Sequence, residues 1–209
     1  MMNFFRLLIA LTSLSFAALS FAAPQPQHEA PDEMVKRVTR EVMDIVRQDR
    51  EIKSGNLERI QEVIESKILP HLDMQRATAL AVGHYWRQAT PPQRQQLTDE
   101  FRALLMHTYA GALAQVRDRE LEYEPLRAPP DATDVVVRFQ VRQQRGKEPV
   151  QVGYRLYKTP DGWKVYDVNV LGVWMIQAYK SSFAAEIGRG GIDGLIRVLE
   201  EKNRTLAAR

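Results

Sequence analysis

An α+β fold is predicted by three features of the chain. Apolar residues recur at helical spacing from Val35 to Leu113, at alternate positions from Leu121 to Val170, and at helical spacing again after Val173. Each change of period falls at a turn or cap signal, and helices segregated from strands along a chain indicate an α+β arrangement. The expected architecture is four N-terminal helices, a four-stranded antiparallel curved sheet, and two C-terminal helices that together enclose an apolar cavity.

The first helix carries Val35, Val38, Val42, Ile45 and Val46, with Asp32 placed to cap it, and Lys53-Ser54-Gly55-Asn56 breaks the pattern. The second carries Leu57, Ile60, Val63, Ile64 and Ile68 and is expected to stop before Pro70. Asp73 caps a third, through Ala77, Leu80, Ala81 and His84 to Trp86. Thr90-Pro91-Pro92 opens the longest helix, with Leu97, Phe101, Leu104, Leu105, Thr108, Ala112 and Leu113 along it.

The strands follow. Leu121 and Tyr123 alternate with glutamates, and Pro125 marks an edge position. Val135, Val137, Phe139 and Val141 form the second strand, and Arg145-Gly146-Lys147 turns the chain into Val150, Val152, Tyr154 and Leu156. Thr159-Pro160-Asp161-Gly162 turns it again into Trp163 to Val170. Four strands of about eight to ten residues are expected, upper-range lengths for globular sheets. In the last one Trp163 and Val165 fall in phase with Asp167 and Asn169, opposite Tyr166, Val168 and Val170. Such a mixture calls for cover on both faces at different ends, or a bulge that swaps the faces. The closing helices run from Val173 to Ile187 and from Asp193 to Asn203, with a glycine-rich turn between them.

The 209 residues suit one domain, and the absence of cysteine excludes disulfides, thiolate metal sites, a cysteine nucleophile and a lipid-modified N-terminal cysteine. With 29 Lys and Arg against 26 Asp and Glu, the balance does not point to nucleic acid. Met1 to Arg6 holds one positive charge and precedes the apolar run Leu7 to Phe21. That run is about 15 residues long, shorter than the roughly 20 needed to span a bilayer. Ser20-Phe21-Ala22 places small residues at the positions a signal peptidase reads. Residues 1–22 therefore read as a signal peptide cleaved near Ala22, 23–31 as a flexible lead-in, and 32–209 as one exported, periplasmic domain.

Catalytic and metal motifs are not found. His28, His71, His84 and His107 do not occur in a metal-binding spacing, and Ser54, Ser66, Ser181 and Ser182 lie outside any nucleophile-elbow pattern. Gly188 to Gly194 follows a helix and lacks the Lys-Ser/Thr of a phosphate loop, so it reads as a turn. The basic tracts Arg37, Arg40, Arg47, Arg50 and Arg138, Arg142, Arg145 read as solvated faces or, alternatively, as docking surfaces for acidic partners or anionic head groups. Neither a catalytic residue, a metal nor a cofactor is expected. Aromatic residues concentrate where the long helix, the sheet and the closing helix must meet, which suits either a large core or the lining of a cavity.

Six blocks carry a family resemblance: Ala79-Leu80-Ala81-Val82-Gly83-His84-Tyr85-Trp86-Arg87; Gln93 to Tyr109 with Phe101 and Leu105; Val152-Gly153-Tyr154-Arg155-Leu156; Asp161-Gly162-Trp163-Lys164-Val165-Tyr166-Asp167-Val168; Leu171-Gly172-Val173; and Gly190-Gly191-Ile192-Asp193-Gly194-Leu195-Ile196. In their order and spacing, from about Ala30 to Asn203, the chain resembles the MlaC, or toluene-tolerance, family of periplasmic phospholipid-binding transport proteins. The resemblance implies a single lipid-binding domain that holds a glycerophospholipid by its acyl chains. It implies shuttling between an outer-membrane lipoprotein complex and an inner-membrane ABC transporter complex with its substrate-binding ring subunit, which maintains outer-membrane lipid asymmetry. The carrier is expected to be a monomer with phospholipid as cargo and no nucleic-acid partner. On this reading Trp86, Phe101, Leu105, Tyr109, Val137, Phe139, Val152, Tyr154, Trp163, Val173 and Tyr179 line the lipid site, between the long helix, the concave sheet face and the closing helix.

Two departures stand out. Trp174 replaces a serine frequent in the family, and is expected to bear on the cavity mouth, while Lys180 replaces an arginine. The alternatives are a chaperone or interaction module for lipoproteins, a hopanoid carrier, and an enzyme using Asp167, Tyr166 and Tyr154.

Overall fold

The computed structural model describes residues 29–115, 119–142 and 148–208. The predicted export signal, most of the lead-in and the Arg145-Gly146-Lys147 turn lie outside the described residues.

Helix α1 (Pro31–Gln48) begins one residue before Asp32, which pairs with Lys36 at 3.0 Å instead of capping. Its apolar stripe serves two cores. Met34 and Val35 pack on the sheet, Val42 and Val46 pack on the next helices, and Val38 touches both groups. Asp49 ends α1 and caps the single turn α2 (Arg50–Lys53), accepting from the backbone N–H groups of Glu51 and Ile52. Asn56 caps α3 (Leu57–Val63). The sequence pattern predicts this helix as far as Ile68, but α-helical geometry stops at Val63 and widens into a π turn over Ile64–Ile68. Pro70 is the cause we assign. Its missing N–H and its ring both act against the carbonyl four residues earlier, so the ladder opens before the proline is reached.

The segment after this turn is a strap. Leu72 bridges Val165 in parallel register and the Asp73 N–H donates to the Val165 carbonyl at 2.8 Å, so a free strand edge is covered. Asp73 then caps α4 (Met74–Val82), accepting from the Arg76 N–H at 2.7 Å, and also takes a hydrogen bond from the Tyr157 hydroxyl. One carboxylate thus ties strap, helix and sheet. Asp73→Ala is expected to lower stability by about 1–2 kcal/mol and Asp73→Asn by less, measured by urea unfolding. Gly83 ends α4, and the predicted continuation to Trp86 is a 3-10 turn (Gly83–Arg87). Thr90 and Gln93 form a reciprocal capping box at the start of α5 (Pro91–Gln115), with the Thr90 N–H donating to Gln93 Oε1 at 2.9 Å.

The sheet is an antiparallel meander in chain order: β1 (Leu121–Tyr123), β2 (Asp134–Val141), β3 (Val150–Thr159), β4 (Gly162–Val170) and β5 (Val173–Trp174). Five strands replace the expected four, and β1 is three residues long because Pro125 closely follows it. The fifth strand takes Val173 and Trp174 from the predicted closing helix. Leu171 and Gly172 form a two-residue loop with φ of 52° and 88°, the sign pattern of a type I′ hairpin, which returns the chain against β4.

The mixed pattern of β4 is a bulge. Leu156 pairs with Val165 while the preceding Arg155 pairs with Asp167, which leaves Tyr166 as the extra residue. Val165, Val168 and Val170 therefore share a face despite their odd spacing, and Asp167 and Asn169 share the other.

After β5 come α6 (Met175–Ala178) and α7 (Lys180–Ala207), the latter kinked at Gly191, where φ is 67° and ψ is −172°. A side chain rarely adopts that conformation, so the glycine-rich turn is a backbone requirement. Asp193, expected to start the second segment, accepts from Gln93 Nε2 at 2.6 Å and ties the kink to α5. The α5–α7 pair holds the helical core of Leu97, Phe101, Leu104, Phe183, Leu195 and Leu199. Among the described residues no helix is long and apolar enough to cross a membrane.

Candidate functional site

Strand register assembles an apolar surface from residues far apart in the chain. One row crosses all five strands: Tyr123, Phe139, Val152, Val170 and Val173. The next is Val137, Tyr154 and Val168, and the third is Val135, Leu156 and Val165. These rows form the inner sheet face. Met34 and Val35 of α1 cover the third row and part of the second. The first row is covered unevenly. Phe139 is buried, Val152 and Val170 are half-buried, and Val173 is 53% exposed.

Aromatic contacts link the rows. Phe139 lies 5.2 Å from Tyr123 and 5.3 Å from Tyr154, between ring centroids. Burial pushes the Tyr154 phenol up to about 12, so it stays neutral at physiological pH. The wall offers apolar contact and neutral hydroxyls, a chemistry suited to holding hydrocarbon.

Of the eleven residues selected from the sequence, the structure brings Val137, Phe139, Val152, Tyr154 and Trp163 together on this sheet face or in the cluster against it. Phe101, Leu105, Trp86 and Tyr179 belong instead to the helical core, where Phe101 packs edge-on against Tyr179 at 5.0 Å and Phe183 at 5.1 Å. Tyr109 stands at the end of the Phe101, Leu105 stripe, 41% exposed. Its hydroxyl meets that of Tyr179, whose ionisation is pushed up by burial first and by this hydrogen bond second. Val173 sits at an exposed hairpin tip. The helical residues thus form a second group, and the helix laid on the inner sheet face is α1.

Sequence reasoning missed Tyr123, Val168 and Val170, which complete the rows. Strand alternation marks Tyr123; the Tyr166 bulge hides the other two. Trp174, expected at the cavity mouth, pairs with Asn169 on the outer face, and the Arg155 guanidinium lies 4.0 Å from its ring centroid. The Lys180 side-chain stem packs beside Gly83.

The outer face is polar. Asp167 is buried there, its Oδ1 accepting from the N–H groups of Val168 and Ile176 at 2.9 Å each, with Arg155 Nη1 3.8 Å from Oδ2. Tyr166 donates to Asp134, and Arg76 stacks on Tyr157 and Tyr166. The trio of the enzymatic reading is therefore divided, with Asp167 on one face and Tyr154 on the other.

Three arginines of the basic tracts hold ion pairs among the described residues. Arg37 meets Glu29 at 2.8 Å, Arg47 lies 3.6 Å from Asp44, and Arg142 meets Glu122 at 3.0 Å. Two surface depressions, one lined by Gln75, Arg94, Gln95 and Thr98 and the other by Asp49, Glu51, Arg59 and Glu62, are polar and include no residue of the inner sheet face. Among the described residues no three His, Asp or Glu side chains are grouped to hold a metal ion.

The chain matches the family model described as MlaC protein over residues 36–201. It is similar to a phospholipid-binding protein from Ralstonia solanacearum, solved in complex with a phospholipid. Their identity is 44% and the TM-score 0.81, over 86% of this chain and 99% of that one. It is 23% identical over 144 residues to the intermembrane phospholipid transport system binding protein MlaC of Haemophilus influenzae, covering 68% of this chain and 67% of that protein. With the toluene tolerance protein ttg2D of Pseudomonas putida the identity is 26% over 181 residues, 86% of this chain and 80% of that one.

Proposed function

Because the chain belongs to the MlaC family, we propose that it is a periplasmic carrier that binds a glycerophospholipid by its acyl chains and shuttles it between outer-membrane and inner-membrane complexes. In this reading residues 1–22 direct export and residues 32–209 are the single lipid-binding domain. The partners are an outer-membrane lipoprotein complex and an inner-membrane ABC transporter complex with its ring subunit, and the outcome is maintained lipid asymmetry. No chemical step and no cofactor is required of the chain itself.

The observation that carries the reading is the apolar row running across all five strands toward solvent. Each methylene removed from water contributes about 0.8 kcal/mol, so two acyl chains hold a lipid in its membrane by well over 10 kcal/mol. A carrier has to replace that environment with apolar wall. Hydrocarbon asks for area and little direction, which suits rows of valine and aromatic side chains; the head group needs no burial.

Native mass spectrometry of the exported protein, with lipid extraction of the same sample, tests this. The expected result is one phospholipid adduct per chain. A hopanoid mass would keep the carrier class and change the cargo. A lipid-free mass that persists after incubation with phospholipid vesicles would overturn the carrier reading in favour of an interaction module.

A further inference from the structure

We infer that the β4–β5 hairpin tip, Leu171-Gly172-Val173, is the point at which this chain touches a lipid surface, with its two aliphatic side chains entering the acyl boundary and the neighbouring arginines meeting lipid phosphates. The inference rests on the carrier reading for the reason an exported chain meets lipid at all. Its evidence is local to the hairpin.

Leu171 is 66% exposed and Val173 53%, so two large apolar side chains share one two-residue loop. Leu171 holds φ at 52°, a left-handed conformation that is uncommon for a bulky residue and that Asn or Gly would accept with less strain. The strain is not repaid by packing, because the side chain points into solvent. Strained residues that survive without a packing reason mark functional positions.

The tip is also firmly held. Asn169 pairs with Trp174 and Val170 with Val173, Asn169 Oδ1 accepts from the Gly172 N–H at 3.1 Å, and the Leu171 N–H donates to the Gln151 carbonyl at 3.0 Å.

Continuity and charge select the occupant. The inner-face row passes from buried Phe139 through half-buried Val152 and Val170 to exposed Val173, so the tip is the rim of the same surface proposed to carry hydrocarbon. On the outer face Arg155 stacks on Trp174 beside the tip, and Arg138 lies farther along the same cross-strand row, through Gly153 and Asn169. Arg138 is exposed and has no ion pair among the described residues. Glu124 lies opposite Arg138 and Glu122, which holds Arg142, stands beside it on β1, both on the far side of Arg138 from the tip, while Arg155 faces the buried Asp167. An apolar point flanked by guanidinium groups matches an anionic phospholipid interface.

The test is flotation of the exported protein with vesicles of phosphatidylglycerol and phosphatidylethanolamine, with phospholipid extraction from the unincubated protein. Leu171→Asn suits the left-handed position, so its Tm should equal or exceed that of the parent. Its vesicle-bound fraction should fall about tenfold, the value of one leucine side chain withdrawn from apolar surroundings. Arg138→Gln should weaken binding to anionic vesicles and leave binding to vesicles of phosphatidylethanolamine alone unchanged. Equal flotation of parent and Leu171→Asn overturns the inference, as does a parent that does not float and instead needs a membrane protein in the vesicle. Tip-dependent flotation by a protein that still yields no bound phospholipid after incubation with the vesicles and separation from them would sustain the lipid-touching surface and end the carrier reading.

Discussion

Asp167→Ala is expected to cost the fold about 3–5 kcal/mol, read as a lower urea midpoint at unchanged slope. The carboxylate joins β4 to the first turn of α6 through the half-buried Val168 and buried Ile176 N–H groups, and it faces Arg155. Alanine leaves both donors without this acceptor and removes the anion from behind a guanidinium. Asp167→Asn keeps an acceptor at Oδ1 and should lose less.

The pH dependence gives a second check. Burial pushes the Asp167 carboxyl above its usual range, against the opposing effect of the two N–H groups and Arg155. The folded chain therefore holds this proton more tightly than the unfolded chain does. Its contribution is complete below the unfolded value and is lost as pH rises through the raised folded one. An asparagine cannot titrate. The stability deficit of Asp167→Asn should accordingly be largest in acid and narrow toward neutral pH; a deficit that widens toward neutral pH would show that the N–H groups and Arg155 outweigh burial.

The second large effect is on cargo. Val152→Trp is expected to cut phospholipid recovered per chain about tenfold, with the fold retained, whereas Val152→Ala should leave it within about threefold. Val152 stands between Phe139 and Val170 at the middle of the five-strand row. Because it is half-buried, an indole at this position has room to lean along the apolar surface and occupy it. A more deeply buried position such as Val137 would couple the loss of cargo to overpacking against the core. Lipid phosphorus per mole of protein, with circular dichroism of the same sample, separates the two effects. Unchanged phosphorus in a folded Val152→Trp would remove this row from the site.

The rows of the inner sheet face are legible in the sequence where strand alternation is clean. Val137, Phe139, Val152 and Tyr154 were selected because alternate residues share a face, and antiparallel register then made them neighbours. On β4 the same logic failed, because one extra residue at Tyr166 inverts the phase of all that follows. The surroundings of the helical residues are less legible, for a different reason. An apolar stripe shows that a helix buries a face, but not which element covers it. Phe101 and Leu105 are expected between the long helix, the sheet face and the closing helix, and they pack in the α5–α7 core.

Short-range chemistry was determined by the sequence alone. The Asp73 cap, the capping box at Thr90 and Gln93, the glycine at the α7 kink and the period of each strand all arise from groups within four residues of one another. Tertiary structure decided what those elements meet. It laid α1 on the sheet and set the Leu72 strap against Val165. Each of these outcomes depends on partners distant in sequence, whose contacts outweigh local preferences once they can form. The apolar row itself is of this kind: its five residues lie on five strands, and only the antiparallel sheet register makes them one surface.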